Sequence, residues 1–375
     1  MNLVFSLLFA ATIRATLPDP ALDAAVQSAI ERAPDLAAAR AAVEAAKRRI
    51  EPARTLPDPF VSLSNKQVML SQPLPWPGKL SLASHAAASE ARELETGALG
   101  RAALAIEARV RNAWYDVLLA NALDRLVEER RETARQIEAT TRDRYAAGLA
   151  VQQDVLRAQA ELARVDELKA QQRASIAARR AELDHLVGAS IDAKGELPPV
   201  APLPADLVGS ALSRSPETAA ARQGIETARL QIDLAKKNFL PDFVTSVSTM
   251  GEVSAGISIP IFANRRQRNQ LAEAESRGAQ RKSEVDVIAR DVEVRTLDRI
   301  AQLETANEVA VLYRDKIIPL DQLSLESALA SYRAGKVPFV TVFEAVNALY
   351  ADRANYLGRL AEAAKWRVAI DEVMP

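Results

Sequence analysis

The chain has 375 residues, of which 49% are hydrophobic and 26% are charged, a composition unlike that of a disordered chain or a polytopic membrane protein. Its 48 basic and 49 acidic residues leave a formal net charge of −1, which argues against nucleic acid as a partner. The absence of cysteine excludes disulfides, thiolate metal sites and cysteine nucleophiles, and the 13 glycines form no phosphate-binding motif. Because the only histidines, His85 and His185, are far apart in the sequence, we expect no catalytic residues, no cofactor and no bound metal.

The first element is an apolar run from Leu3 to Ile13, which has the length of the hydrophobic part of a signal peptide. We therefore predict a signal peptide over residues 1–15. No Lys or Arg precedes the run, so a misassigned start or a buried helix is the alternative interpretation.

Two segments have the composition of β-strands. Alanine, the best helix former, is absent from residues 54–82 and 236–254, where β-branched and aromatic residues are separated by Ser and Thr. This pattern predicts one short β-hairpin over residues 59–75 and a second over residues 242–261.

Long helices are predicted between and after these segments. Residues 78–197 and 261–318 contain no proline, and both stretches are longer than an ordinary globular helix. Gly148 divides the first stretch into two helices, since glycine can end a helix and reverse the chain. Small apolar residues recur at spacings of three and four from Ile106 to Ala120, as in coiled-coil-like packing, although an ordinary antiparallel helical bundle explains this stripe equally well.

The sequence contains an internal two-fold repeat. We assign residues 16–197 to the first repeat, 198–206 to a proline-rich linker and 207–375 to the second repeat. Each repeat reads as a short helix, a β-hairpin and a long helical hairpin, with the helical turns at Gly148 and Gly335. The matching segments are Ser28–Pro34 with Ser210–Pro216, Leu56–Phe60 with Leu240–Phe243, and Tyr145–Gly148 with Tyr332–Gly335.

These motifs resemble the TolC-like outer-membrane efflux protein family, most closely its heavy-metal cation branch. The residues that carry the resemblance are Leu56-Pro57-Asp58-Pro59, Pro75-Trp76-Pro77-Gly78-Lys79-Leu80, Phe239-Leu240-Pro241-Asp242-Phe243 and the two Tyr-x-Ala-Gly turns. The resemblance implies a mainly α fold with a small β part, in which three copies form an α-helical periplasmic tunnel below a twelve-stranded β-barrel in the outer membrane of a Gram-negative bacterium. Most of the mass would then lie in the periplasm.

The resemblance also implies a function without chemistry. The family acts as the passive exit duct of a tripartite efflux pump, together with a periplasmic adaptor protein and a proton-driven inner-membrane transporter of the RND type. The cargo expected from this branch is metal cations or small toxic compounds.

The same resemblance assigns the two helical turns to the periplasmic tip, where they would dock the adaptor. A helix cap without a partner is the alternative for these glycine turns. The expected docking residues are Gly148, Leu149, Ala150, Gly335, Lys336 and Val337.

The family closes its periplasmic end with polar contacts between helices. Carried over residue by residue, the closing tyrosine is Tyr332 and its aspartate partner is Asp154. The supporting arginine of the family falls on Val337, so we expect a weaker contact or a substitution by Lys336. The acidic selectivity ring falls on Thr341 and Glu344. Only the glutamate keeps a carboxylate, which would attract cations unless it is simply a solvated surface residue.

The predicted fourth strand alternates in polarity. Its apolar residues, which we expect to face the membrane lipid, are Val253, Ala255, Ile257 and Ile259. A soluble sheet with one polar face has the same pattern. The predicted strands are unusually short, because only 13 residues separate Pro59 from Pro73, whereas a membrane strand needs roughly 9–11 residues.

The short strands leave a second interpretation open, namely a soluble or shortened trimeric helical scaffold of the same fold that does not span the membrane. A periplasmic adaptor is disfavoured, because it would contain one helical hairpin rather than two.

Overall fold

The computed structural model describes residues 20–64, 67–200, 203, 206–263 and 265–373. The signal peptide predicted at residues 1–15 and part of the linker predicted at 198–206 lie outside these ranges. The described residues are mainly helical with two short β-hairpins, which confirms the predicted fold class. The elements are α1 (Pro20–Arg32), α2 (Pro34–Arg48), α3 (Ile50–Arg54), β1 (Phe60–Ser64), β2 (Gln67–Leu74), α4 (Lys79–Leu94), α5 (Gly100–Ala146), α6 (Gln152–Val187), α7 (Leu207–Arg214), α8 (Pro216–Lys237), β3 (Asp242–Ser248), β4 (Val253–Ser258), α9 (Gln267–Leu312), α10 (Ile318–Arg333) and α11 (Phe339–Asp371).

The helices at the start of each repeat break at the same point of the repeated motif. Pro34 begins α2 and Pro216 begins α8, and in each case a single residue separates the proline from the end of the preceding helix. Proline favours the first helical position and disfavours helical backbone in the residue before it, so the break is local in origin. In the second repeat Ser215 also caps α8, because its hydroxyl accepts the N–H of Glu217 at 3.2 Å.

The two β-hairpins join in a single antiparallel sheet of order β1-β2-β3-β4. The strands contain 5, 8, 7 and 6 residues. The central pairing is between β2 of the first repeat and β3 of the second, with Leu70 opposite Val247. Within the described residues β1 and β4 are each paired on one side only, so the sheet has two open edges.

Two π-helical turns lie inside the long helices. The turn Glu95–Leu99 connects α4 to α5, and the turn Tyr313–Ile317 connects α9 to α10. The second turn ends two residues before Pro319, which lacks the N–H that a regular helix would use. A π-helical turn shifts the hydrogen-bond register, so the helical path continues through this proline to Arg333.

The helical hairpins pack side by side around two main apolar clusters. One surrounds Trp114 and collects residues of α1, α5, α6 and α11. The other lies towards the Tyr-x-Ala-Gly turns and includes Ile137, Tyr332, Phe339 and Val342. The helices of each hairpin are therefore held together up to their turns by buried apolar side chains.

Several large apolar side chains on the long helices are not covered. In α9 and α10 they are Val287, Val294, Leu297, Leu312, Leu320 and Leu323, all exposed. None of the helices in the described part of the chain combines the length and apolar character needed to cross a membrane.

Candidate functional site: the two glycine turns and the contact between them

The first helical hairpin reverses at a glycine in the left-handed conformation. Gly148 has φ +73°, and its N–H donates to the carbonyl of Tyr145 at 2.9 Å. The next N–H, of Leu149, donates to the carbonyl of Arg144 at 2.8 Å. This pair of hydrogen bonds satisfies the last carbonyls of α5 and is the Schellman motif of a helix end.

The second hairpin repeats this turn. Gly335 has φ +72°, its N–H donates to the carbonyl of Tyr332 at 2.9 Å, and the N–H of Lys336 donates to the carbonyl of Ser331 at 2.9 Å. The two turns therefore share one backbone geometry. They differ at the position before the tyrosine, which is Arg144 in the first turn and Ser331 in the second.

The turns leave most of their side chains in solvent. Leu149 is 65% exposed and Val151, directly after it, is also exposed, so an apolar surface extends beyond the first turn. Of the predicted docking residues, Gly148, Leu149, Gly335 and Lys336 are exposed, whereas Ala150 and Val337 are partly buried.

Tyr332 and Asp154, predicted as the closing pair, lie in contact. The Tyr332 hydroxyl donates to Oδ2 of Asp154 at 3.4 Å, which joins the last turn of α10 to the first turn of α6. Tyr332 is only 4% exposed, and Phe339 packs against its ring at 5.7 Å between centroids. Burial and the nearby Asp154 carboxylate raise the pKa of Tyr332 above its usual value, against the opposing effects of Thr141 and Arg144. The hydroxyl is therefore protonated at neutral pH and can donate.

An arginine of the first turn lies against Tyr332. The Arg144 guanidinium carbon lies 4.8 Å from the centre of the Tyr332 ring. Its Nη2 donates to the carbonyl of Leu149 at 2.9 Å, and its Nη1 donates to the carbonyl of Arg333. One side chain thus contacts the backbone of both turns and the ring of the closing tyrosine.

Neither Val337, on which the family arginine falls, nor Lys336, its expected substitute, forms a polar contact with the Tyr332–Asp154 pair among the described residues. Val337 packs against the apolar cluster that contains Tyr332 and Phe339. Lys336 is exposed, and its ammonium makes no hydrogen bond or ion pair with another described residue. Sequence reasoning missed Arg144. The signal that could have found it is the asymmetry of the two repeats at this position, arginine against serine.

Thr341 and Glu344, the predicted selectivity positions, follow in the first turns of α11. Thr341 is partly buried, and its N–H donates to the carbonyl of Pro338 at 3.2 Å. Glu344 is exposed and has no ion-pair partner among the described residues. Its charge is therefore not neutralised inside the protomer.

The predicted membrane-facing strand is exposed along its whole length. Val253, Ala255 and Ile257 belong to β4, and all six residues of this strand are exposed in the isolated protomer. Ile259 is also exposed but lies one residue beyond the strand, which ends at Ser258. The following Pro260 cannot donate to a sheet, which explains the end of pairing here.

A resident metal site is not found in the part of the chain that the structure describes. No group of three or more His, Asp or Glu side chains there could hold an ion. The polar groups near the turns are instead arranged in contacts between helices.

Comparison with known proteins shows what the chain is similar to. Residues 207–374 match the family model described as outer membrane efflux protein. The cobalt-zinc-cadmium resistance protein CzcC of Cupriavidus metallidurans is 24% identical over 359 residues, which cover 90% of this chain and 85% of CzcC.

Solved structures share the fold over both repeats. The crystal structure of CusC superposes with a TM-score of 0.80 at 19% identity, covering 97% of this chain and 95% of that chain. The outer membrane protein VceC from Vibrio cholerae gives a TM-score of 0.74 at 21% identity, covering 95% of this chain and 96% of that chain. The resemblance predicted from the turns and proline motifs is thus confirmed: residues 207–374 match the outer membrane efflux protein model, and the whole chain is similar in fold to solved outer-membrane channels.

Proposed function

We propose that the chain is the outer-membrane channel of a tripartite efflux pump, acting as a passive homotrimeric exit duct. The observation that carries this proposal is the open four-stranded sheet at one end of two long helical hairpins. Both edges of the sheet are free of any strand among the described residues, and an exposed strand edge in a membrane would leave backbone groups unpaired at high cost.

Three copies would remove these edges. Pairing of β1 from one copy with β4 of the next would close twelve strands into a barrel in which every edge is covered. The exposed apolar residues of β4 would then face lipid, with Ser254, Gly256 and Ser258 towards the lumen. The same arrangement would bring the uncovered apolar side chains of α9 and α10 against a neighbouring copy.

The opposite end of the helical hairpins would meet the partners. The two exposed glycine turns, with Leu149 and Lys336 at their tips, offer a surface for a periplasmic adaptor protein. The adaptor would connect the duct to an inner-membrane transporter of the RND type, which supplies the energy. The chain itself would perform no catalysis and would hold no cofactor.

The proposed cargo is metal cations or small toxic compounds. The unpaired carboxylate of Glu344 supports a cationic cargo, because a ring of three such groups near the tunnel entrance would lower the energy of cations there. The similarity to CzcC, a cobalt-zinc-cadmium resistance protein, agrees with this choice.

The test is the location and the assembly state of the full-length chain. We expect it in the outer-membrane fraction of a Gram-negative host and, after extraction, as a trimer that needs detergent to stay in solution. The mass of the extracted chain also shows whether residues 1–15 have been removed. A trimer that is stable in buffer without detergent would favour the shortened scaffold, whose support is the strand length of 5 to 8 residues. A monomer would overturn the proposal.

A further inference from the structure

We infer that Arg144 is the positioning residue of the closing contact: it ties the two glycine turns of one protomer together and holds the Tyr332 ring in place for Asp154. This inference rests on the proposed duct function, because only a duct has an end to close. The family resemblance places the supporting arginine at the position of Val337, whereas this inference places it in the first turn.

The geometry makes Arg144 a brace between two helix ends. The carbonyls that it contacts belong to Leu149, in the turn after α5, and to Arg333, the last residue of α10. The Arg333 carbonyl lies at a helix C-terminus, where carbonyls lack intrahelical partners and carry partial negative charge, so a cationic donor is favoured there. Hydrogen bonds from a charged donor are also stronger than those between neutral groups.

A guanidinium is suited to this place in a way that an ammonium is not. It is planar, and it presents several N–H groups in fixed directions while its face lies on an aromatic ring. Arg144 uses both properties, since Nη1 and Nη2 reach different turns and the carbon lies over Tyr332. Its Nε is buried without a hydrogen-bond partner, which shows that the contact is made by the outer nitrogens and the face.

The contact links the exposed tip to the closing pair. Leu149 is at the surface where an adaptor would dock, and its carbonyl is held by the side chain that also holds Arg333 and covers Tyr332. A partner that displaces the first turn would therefore pull on the Tyr332–Asp154 contact through Arg144. The two turns of a protomer would move together rather than one at a time.

The test compares Arg144→Gln with Arg333→Gln in the full-length, detergent-solubilised chain. Both variants remove one positive charge near the turns, but the Arg333 side chain is exposed and forms no hydrogen bond or ion pair with another described residue, and only its backbone carbonyl takes part in the brace. Hydrogen exchange measured by mass spectrometry would follow the backbone amides of 145–152 and 332–339. Single-channel recording in a planar bilayer would give the open probability.

For Arg144→Gln we expect exchange to become faster by about tenfold at both turns, as loss of a hydrogen bond from a charged donor predicts, and the open probability to rise. Arg333→Gln should resemble the unsubstituted chain in both measurements. Arg144→Lys keeps the charge, but an ammonium cannot reach both carbonyls and cover the ring. Amide exchange at 332–339 should therefore be as fast in Arg144→Lys as in Arg144→Gln. This variant distinguishes loss of the brace from a general folding defect.

If Arg144→Gln gave faster exchange at one turn only, Arg144 would not join the two turns. The same conclusion would follow if Arg333→Gln gave faster exchange at both turns. Faster exchange at both turns with an unchanged open probability would overturn the positioning role. If the unsubstituted chain gives no channels at all, the proposed duct function fails, and the exchange comparison still decides whether Arg144 joins the two turns.

Discussion

Lys79 and Asp242 form an ion pair that joins the two repeats where the sheet meets the helices. The Lys79 ammonium lies 2.8 Å from Oδ1 of Asp242 and also donates to the carbonyl of Leu240 at 3.0 Å. The same carboxylate oxygen accepts the N–H of Trp76 at 2.7 Å. Lys79 is only 8% exposed, so these few atoms hold α4 of the first repeat against β3 of the second. Two of the motifs that carry the family resemblance, Pro75-Trp76-Pro77-Gly78-Lys79-Leu80 and Phe239-Leu240-Pro241-Asp242-Phe243, thus meet in space.

We expect Asp242→Ala to lower the free energy of unfolding by about 2 kcal/mol, because it leaves a buried ammonium without its carboxylate and the Trp76 N–H without an acceptor. Asp242→Asn keeps an acceptor and should cost about half as much. Urea unfolding of the detergent-solubilised chain, followed by circular dichroism, measures both changes.

The control for this pair is Glu44→Ala, which removes the exposed i,i+4 pair between Glu44 and Arg48. Exposed pairs contribute little, so this variant should unfold almost like the unsubstituted chain. Equal destabilisation by Asp242→Ala and Glu44→Ala would show that the junction pair is an ordinary surface contact.

Gly148→Ala should destabilise the first turn through backbone strain alone. The glycine has φ +73°, and no atom lies within 4 Å of the place where a Cβ would stand. An alanine in the left-handed region costs about 1 kcal/mol, and the same cost is expected for Gly335→Ala.

Gly358→Ala is the matched control for the turn glycines. Gly358 also has open space around its Cβ position, but it lies inside α11 in helical conformation. Alanine should stabilise the chain there by about 0.5–1 kcal/mol, since it favours helix more than glycine does. Because alanine should lower the thermal midpoint at Gly148 and raise it at Gly358, thermal unfolding is a sufficient measurement. A change of the midpoint in the same direction at both positions would contradict the role of the positive φ.

The helices, the β-hairpins and the glycine turns could be predicted because their signals are local. Proline at the helix starts, glycine at the turns and the absence of alanine from the hairpins each act on their own segment. The contact of Arg144 with Arg333 joins residues 189 positions apart, and Arg144 has a serine at the corresponding position of the other turn. No local sequence pattern therefore predicts this contact. The π-helical turn at Gly97 depends on tertiary packing as well, because a Cβ there would come within 2.7 Å of the Ala220 side chain.

Asp321 and Asp352 should make the packing of α10 on α11 sensitive to pH. Burial, together with the hydrogen bond and charge of the neighbouring Asp352 carboxylate, raises the pKa of Asp321 above its usual value. The folded state therefore favours the protonated acid. This stabilising contribution is present in full below the ordinary pKa of aspartate and is lost as the pH rises through the higher pKa of the folded state. Asp321→Asn should accordingly raise the thermal midpoint at neutral pH and should have less effect in acid.

Asp315 should change the stability with pH in the opposite direction to Asp321, and it serves as the control. Its hydrogen bond to the Arg314 guanidinium lowers the pKa of this exposed carboxyl below its usual value, so its contribution is present at neutral pH and is lost in acid. Asp315→Asn should lower the neutral midpoint or leave it unchanged. A rise of the midpoint in both variants would point to general charge repulsion and not to the Asp321–Asp352 pair.

Tyr332→Phe tests the closing contact without emptying the core. The variant keeps the ring between Arg144 and Phe339 and removes only the hydroxyl that donates to Asp154. Loss of one such hydrogen bond is expected to shift the ratio of open to closed channels by roughly threefold to tenfold in single-channel recordings.

Tyr350→Phe is the control, since the Tyr350 hydroxyl forms a 2.7 Å hydrogen bond with Thr133 that joins α11 to α5, whereas the Tyr332–Asp154 contact joins α10 to α6 beside the turns. This variant should affect stability and leave gating unchanged. A similar gating change in both variants would mean that the helical bundle as a whole, and not the Tyr332–Asp154 pair, holds the channel closed.

Glu344→Gln tests whether the tunnel entrance selects cations. Glu344 is exposed and has no ion-pair partner among the described residues, so in a trimer three uncompensated carboxylates would stand at one level of the tunnel. Replacing them with neutral amides should reduce the permeability ratio of cations to anions severalfold in a salt gradient, while single-channel openings remain.

Glu326→Gln, at an exposed position of α10, removes the same number of charges elsewhere. Because long-range fields are screened over about 10 Å at moderate salt, only a carboxylate close to the path of the ions can change the ratio strongly. An equal loss of selectivity in the two variants would assign the effect to overall charge, and no loss in either would leave Glu344 as a solvated surface residue.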